Sequence, residues 1–231
     1  MNLNTFGGVI KAGHYDVIIA HGTSTLEPGV RFRTLVIHGV VDTAECVGGA
    51  VVFDSGMLTC SGDVDVEDIQ GHGRCHVAGG LRCETMRFIG EMNVNGGLRC
   101  RGALRIVGYA HASSIAAREG LKLVGRGESP LLRAHHIVVK PIRSAMFERF
   151  GMRDYIGKSE IHSAEAHSVR LWNCDCGKIT AENVQLNAHT SAKEVIYGND
   201  LNYDRSSNVI MMRRVRDDEG ERDVEAQRKV A

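Results

Sequence analysis

The sequence predicts an all-β chain wound as a single-stranded parallel β-helix, a solenoid of three short strands per coil. Three observations predict it. Glycines recur at Gly22, Gly39, Gly56, Gly73, Gly90, Gly108 and Gly125, in steps of 17, 17, 17, 17, 18 and 17 residues. Apolar residues keep the same ruler. Ile18, Leu35, Val52, Ile69, Met86, Leu104 and Leu121 stand four before those glycines, and Val30, Val47, Val64, Leu81 and Leu98 stand eight after the first five. The apolar positions also come in pairs at i and i+2, the period of a strand with one buried face. A repeated helix pair needs apolar spacings of 3 and 4, and that pattern is missing.

Taken in order, residues 1–14 read as a leader. Phe6, Val9 and Ile10 within it either dip into a membrane surface or cap the first coil, and the plainer reading is a frayed end. Residues 15–125 are the regular coils. Their inward pairs begin 6, 6 and 5 residues apart, with tight corners at the glycines. The slots two before each glycine hold Ala20, Ile37, Asp54, Gly71, Phe88, Ile106 and Leu123. Those ten after the first five hold Phe32, Gly49, Val66, Cys83 and Cys100. Slipping by one residue turns the apolar set outward, so register is strongly specified.

Residues 126–158 break the period. Arg126–Pro130 reads as a loop, Leu131–Val139 as a strand, and Pro141 as its stop. Ile142, Met146, Phe147 and Phe150 lie at helical spacing and predict a short amphipathic helix, a small helical interruption of the solenoid. Its apolar face either covers a flank of the solenoid or docks on a membrane or partner, with Lys140, Arg143, Arg149 and Arg153 favouring anionic lipid. Residues 159–212 return to strand spacing, with the pairs Val169/Leu171, Val184/Leu186 and Leu201/Tyr203 and a last strand at Val209–Met212. In residues 213–231, twelve of nineteen side chains are charged. Such a segment cannot bury a core and reads as a disordered or weakly helical tail, able to limit association or recruit a partner.

Composition narrows the functions. Lys+Arg and Asp+Glu both number 28, a formal charge of zero, which argues against nucleic acid as the partner. Aromatic residues make up 5%, as suits a narrow interior. The seven cysteines are an odd number, and four of the five in the regular coils fall on inward slots as small hydrophobes. Residues 1–13 show no basic region followed by an apolar core, and no run of 18 apolar residues exists. Residence in the cytoplasm with reduced thiols is expected, with a peripheral position at the inner face of the membrane as its variant.

The motifs for chemistry are sparse. No phosphate-binding G-x-x-x-x-G-K-[ST] or G-x-G-x-x-G occurs, so assembly driven by nucleotide hydrolysis is not expected. Cys174 and Cys176 put two thiols on one face, and a zinc site would need two further ligands from His162, His167 or His189. Packing is the simpler role. His135 and His136 would face opposite ways on a strand. Asp63, Asp65, Glu67 and Asp68 suggest either Ca²⁺ or a solvated face. Arg82, Arg87, Arg99, Arg101 and Arg105 form a basic stripe, either solvated or meeting an anionic partner. No catalytic residue, cofactor or metal ligand set is assigned.

The glycine-punctuated coils from Gly22 to Gly125, together with Glu160–Asp204 (EIHSAEAHSVRLWNCDCGKITAENVQLNAHTSAKEVIYGNDLNYD), resemble the bactofilins, the polymer-forming bacterial cytoskeletal proteins. The resemblance implies a right-handed β-helix that polymerises end to end without nucleotide, in the cytoplasm and often at the membrane, supporting cell shape, envelope or flagellar assembly. The family carries no catalytic signature, so the expectation is a non-enzymatic scaffold whose partner is a second copy of itself, with a membrane surface or a morphogenetic or flagellar protein as further partners. Contact residues are expected at Ile18, Val30 and Phe32 at one end and at Leu201, Tyr203 and Val209 at the other. Two alternatives remain: a hexapeptide-repeat acyltransferase, which needs a left-handed coil of strict 6-6-6 step, and a non-polymerising adaptor.

Overall fold

A computed structural model describes residues 1–142 and 157–215. They form fourteen parallel strands in one sheet, wound into a β-solenoid of about 12 turns. In chain order the strands are β1 (Asn2–Ile10), β2 (Gly13–Leu26), β3 (Val30–Ile37), β4 (Val40–Thr43), β5 (Cys46–Cys60), β6 (Val64–Val77) and β7 (Leu81–Cys83). There follow β8 (Thr85–Cys100), β9 (Leu104–Ala117), β10 (Gly120–Lys140), β11 (Ser159–Trp172), β12 (Cys174–Asn187), β13 (Ser191–Tyr203) and β14 (Asn208–Arg214). The long strands bend round corners and pair with their neighbours along most of their length. At about 4.8 Å per coil the stack is roughly 55 Å long.

The interior is one contiguous core. Its main column runs in register through Ile18, Leu35, Val51, Ile69, Met86, Leu104 and Leu121. Every member is at most 1% exposed. Burying such a side chain contributes about 1.5–3 kcal/mol, and the column repeats this in each coil. The glycines form a second column at one corner. A Cβ on Gly90 would lie 2.0 Å from the carbonyl oxygen of Gly73, and one on Gly108 would lie 2.2 Å from that of Gly90. Both also have positive φ, 129° and 130°, which an L side chain rarely adopts. Stacked backbone fills the space that a side chain would need.

The register departs from the simple ruler between Cys46 and Asp54. Leu35 pairs with Val51, and Val51 with Ile69. The inward residues are therefore Cys46, Gly48, Val51 and Phe53, in place of the expected Val47, Gly49, Val52 and Asp54. One coil is shorter by a residue, and the next regains it at a bulge between Asp54 and Met57. Ser55 sits there with φ 64°. The shift turns the Asp54 carboxylate outward and brings Phe53 in. Phe53 and Phe88 then meet edge to face at 5.1 Å. Gly71 lies in register between them, and its missing side chain leaves the room.

Three further boundaries are corrected. The leader is a coil: residues 2–5 of β1 pair with 17–20 of β2 and residues 7–10 pair with 23–26, and Ile10 is buried. Its Leu3, Thr5 and Ile10 continue inward columns, which the spacing alone left unread. Residues 126–140 belong to the solenoid as the second half of β10, paired with β9 on one side and β11 on the other. Pro130 interrupts no ladder because its N–H would fall at a corner where neither neighbour pairs with it. At the other end, Arg213 and Arg214 are still strand residues of β14. The expected helix carrying Met146, Phe147 and Phe150 lies outside the described residues, as do residues 216–231; Ile142 is half-buried at the end of the described segment. No helix occurs among the described residues. The later pairs fall where the spacing put them: Val169, Val184 and Leu201 are in register, as are Leu171, Leu186 and Tyr203.

Candidate functional site

In a solenoid every interior coil is covered above and below. Only the end coils have strand edges whose N–H and C=O groups lack a partner strand. At the C-terminal end these coincide with apolar side chains. Met212 pairs with Val195 and Tyr203 with Leu186, both fully or nearly fully buried, so Met212 and Tyr203 occupy inward positions. They are nevertheless 48% and 51% exposed, because no further coil lies over them among the described residues. Leu201 and Val209 pack against the same end of the core and are half-buried. Ile210, Met211 and Val215 add exposed apolar surface beside them.

The N-terminal end is better covered. Ile18, Val30 and Phe32, expected at the contact, are at most 5% exposed and lie one coil inside. Leu3 pairs over Ile18, and Tyr15 pairs over Phe32. The end face there consists of Leu3 and Tyr15, both half-buried. Exposed apolar groups lie at its margin: Val9, and Phe6 stacked 5.0 Å from His21. Thus the structure keeps Leu201, Tyr203 and Val209 at an end, moves Ile18, Val30 and Phe32 into the interior, and adds Met212. The signal for Met212 was in the apolar run Val209–Met212, but its inward direction depends on pairing with Val195.

A groove of about 600 Å³ runs along the glycine corner, lined among others by His38, Ser55, His72, Arg74, Ile89 and Val107. Ser55 Oγ lies 2.7 Å from His72 Nε2, and Asp54 bridges His38 Nδ1 at 3.0 Å and His72 Nε2 at 3.9 Å. Serine and carboxylate meet the same ring nitrogen of His72. A Ser-His-Asp triad needs the carboxylate on the opposite nitrogen, so this cluster does not form one.

The remaining polar clusters resolve into packing and surface pairing. All seven cysteines are buried and free. Burial pushes the Cys75 and Cys176 thiols up to about 12, and those of Cys46 and Cys174 upward as well. Buried in this way, they pack as small hydrophobes. Asp63 accepts the Gly80 N–H at 2.7 Å and pairs with Arg82 at 3.5 Å, and Glu84 pairs with Arg101. Acidic and basic stripes on successive coils thus face each other. Among the described residues no three His, Cys, Asp or Glu side chains stand arranged to hold a metal ion, and no helix is long and apolar enough to cross a membrane. No protein-family model, no curated protein and no solved structure matches this chain.

Proposed function

We propose that this protein is a structural scaffold that self-associates through its end coils, in the manner that its resemblance to the bactofilins implies. The observation that carries the reading is the C-terminal coil. There, among the described residues, an unpaired strand edge and the half-exposed inward side chains of Tyr203 and Met212 occupy one surface. A second copy placed on it would extend the ladder of hydrogen bonds and remove apolar area from water. Contact between like ends gives a closed pair, and contact between unlike ends gives an open filament. The sequence carries neither of the phosphate-binding loop motifs sought above, so this reading does not call on nucleotide hydrolysis. Cytoplasmic residence and a role in cell shape, envelope or flagellar assembly belong to the same reading.

Sedimentation and negative-stain microscopy of the full chain test it. The unmodified protein should form dimers or filaments, and the Tyr203→Arg/Met212→Arg variant should sediment as a smaller species with unchanged circular dichroism. A monomeric parent, or a variant that assembles like the parent, overturns the proposal.

A further inference from the structure

Two histidines 32 residues apart in sequence are stacked at the joint that residues 141–158 interrupt. His135 on β10 and His167 on β11 have ring centroids 5.0 Å apart and planes within 10° of parallel. His136 stands 4.3 Å from His135 and 6.3 Å from His167. All three are exposed. Consecutive strand residues normally point to opposite faces. Here Ala134 and Ile137 are buried and both histidines between them face outward, so the chain turns a corner at this point. The register His136–Ser168 sets His135 opposite His167.

Neutral imidazole with a free lone pair is a good ligand for borderline divalent metals such as Zn²⁺, Ni²⁺ and Cu²⁺. Among the described residues neither His135 nor His167 makes a hydrogen bond or an ion pair. His136 Nδ1 is 2.7 Å from Ser168 Oγ, which leaves Nε2 pointing elsewhere. The second stacked pair, His21 and His38 at 4.7 Å, differs because His38 Nδ1 is already engaged by Asp54.

As placed, the three rings do not converge on a point. They are carried on exposed side chains, and turning an exposed ring about χ1 and χ2 takes only picoseconds to nanoseconds. Strands spaced about 4.8 Å apart bring two such rings within reach of one ion at about 2.0–2.1 Å from each nitrogen. We propose that His135 and His167, with His136 beside them, bind a borderline divalent transition metal, and that the ion ties β10 to β11 across the interrupted joint. Water completes the coordination. The Arg133–Glu165 pair, at 2.9 Å, spans the same joint and engages the Glu165 carboxylate. Arg170 opposes the ion's charge. This inference is independent of the scaffold reading.

The test is calorimetric titration of untagged, EDTA-stripped full chain with NiCl₂ and with ZnCl₂, together with Tm with and without metal. One ion should bind per chain and raise Tm, reversibly on adding EDTA. His135→Ala/His167→Ala should bind about tenfold more weakly or worse and lose the Tm rise, while its metal-free Tm and circular dichroism match the parent. His21→Ala/His38→Ala should bind as the parent does. A parent that binds no metal, a first variant that binds like the parent, or a control that loses the same site overturns the proposal.

Discussion

Met86 and Met212 occupy the same kind of position, an inward slot on a strand of the same solenoid. Met86 is fully buried and Met212 is 48% exposed. Nothing in the two residues accounts for the difference; it lies in what covers them. Met86 has Ile69 on one side and Leu104 on the other. Met212 has Val195 on one side and, among the described residues, nothing on the other. Interior coils therefore convert apolar side chains into stability, whereas the last described coil leaves them half in water. The same residue type should give opposite phenotypes in the two regions.

The largest effect is expected where the interior tolerates no side chain at all. Gly108→Ala places a methyl 2.2 Å from a backbone carbonyl that cannot move without its whole coil, at a φ unfavourable to alanine. We expect a loss of about 4 kcal/mol or more, seen as a collapse of the denaturation midpoint in urea. Next is Phe88→Ala, which removes the partner of Phe53 and leaves a cavity. It should cost about 3–5 kcal/mol and leave assembly of the remaining folded molecules intact. Met212→Ala lies at the other pole. Because the side chain is half in water already, stability should change by about 0.5 kcal/mol or less, while the sedimentation coefficient should fall at a given protein concentration. If Met212→Ala destabilised the chain as Phe88→Ala does, the distinction between the two regions would fail. A milder probe sharpens it. Iodoacetamide should leave Cys46, Cys75, Cys174 and Cys176 unmodified in the folded protein, since burial disfavours their thiolates, and should modify all four after denaturation, as read by mass spectrometry.

Much of the fold was legible because a solenoid repeats one local rule. The 17-residue glycine step and the i, i+2 pairs identify the coil, and in-register stacking makes each coil a template for the next. Val184 above Val169 and Leu186 above Leu171 follow from spacing alone. Legibility failed where a local change was compensated elsewhere. The short coil before Val51 and the bulge at Ser55 cancel in the glycine count, so the step stays at 17 while the face in between is inverted. Residues 126–140 were obscured for a different reason. Their partner strand β11 comes 32 residues later, and no fixed period reports such a pairing. The candidate site was half legible: Leu201, Tyr203 and Val209 were placed at an end, but β1 covers the first coil and moves the other end outward from Ile18 to Leu3.

By itself the sequence determined the repeat, the strand period and the corner glycines. All three are short-range: alternation along a strand and the volume of one side chain decide them. Only the tertiary structure decided which face of Cys46–Asp54 is buried, which coil is the last among the described residues, and that His135 and His167 share one surface. Those depend on pairing across one coil or two, where a residue's surroundings are set by neighbours that its local sequence does not contain.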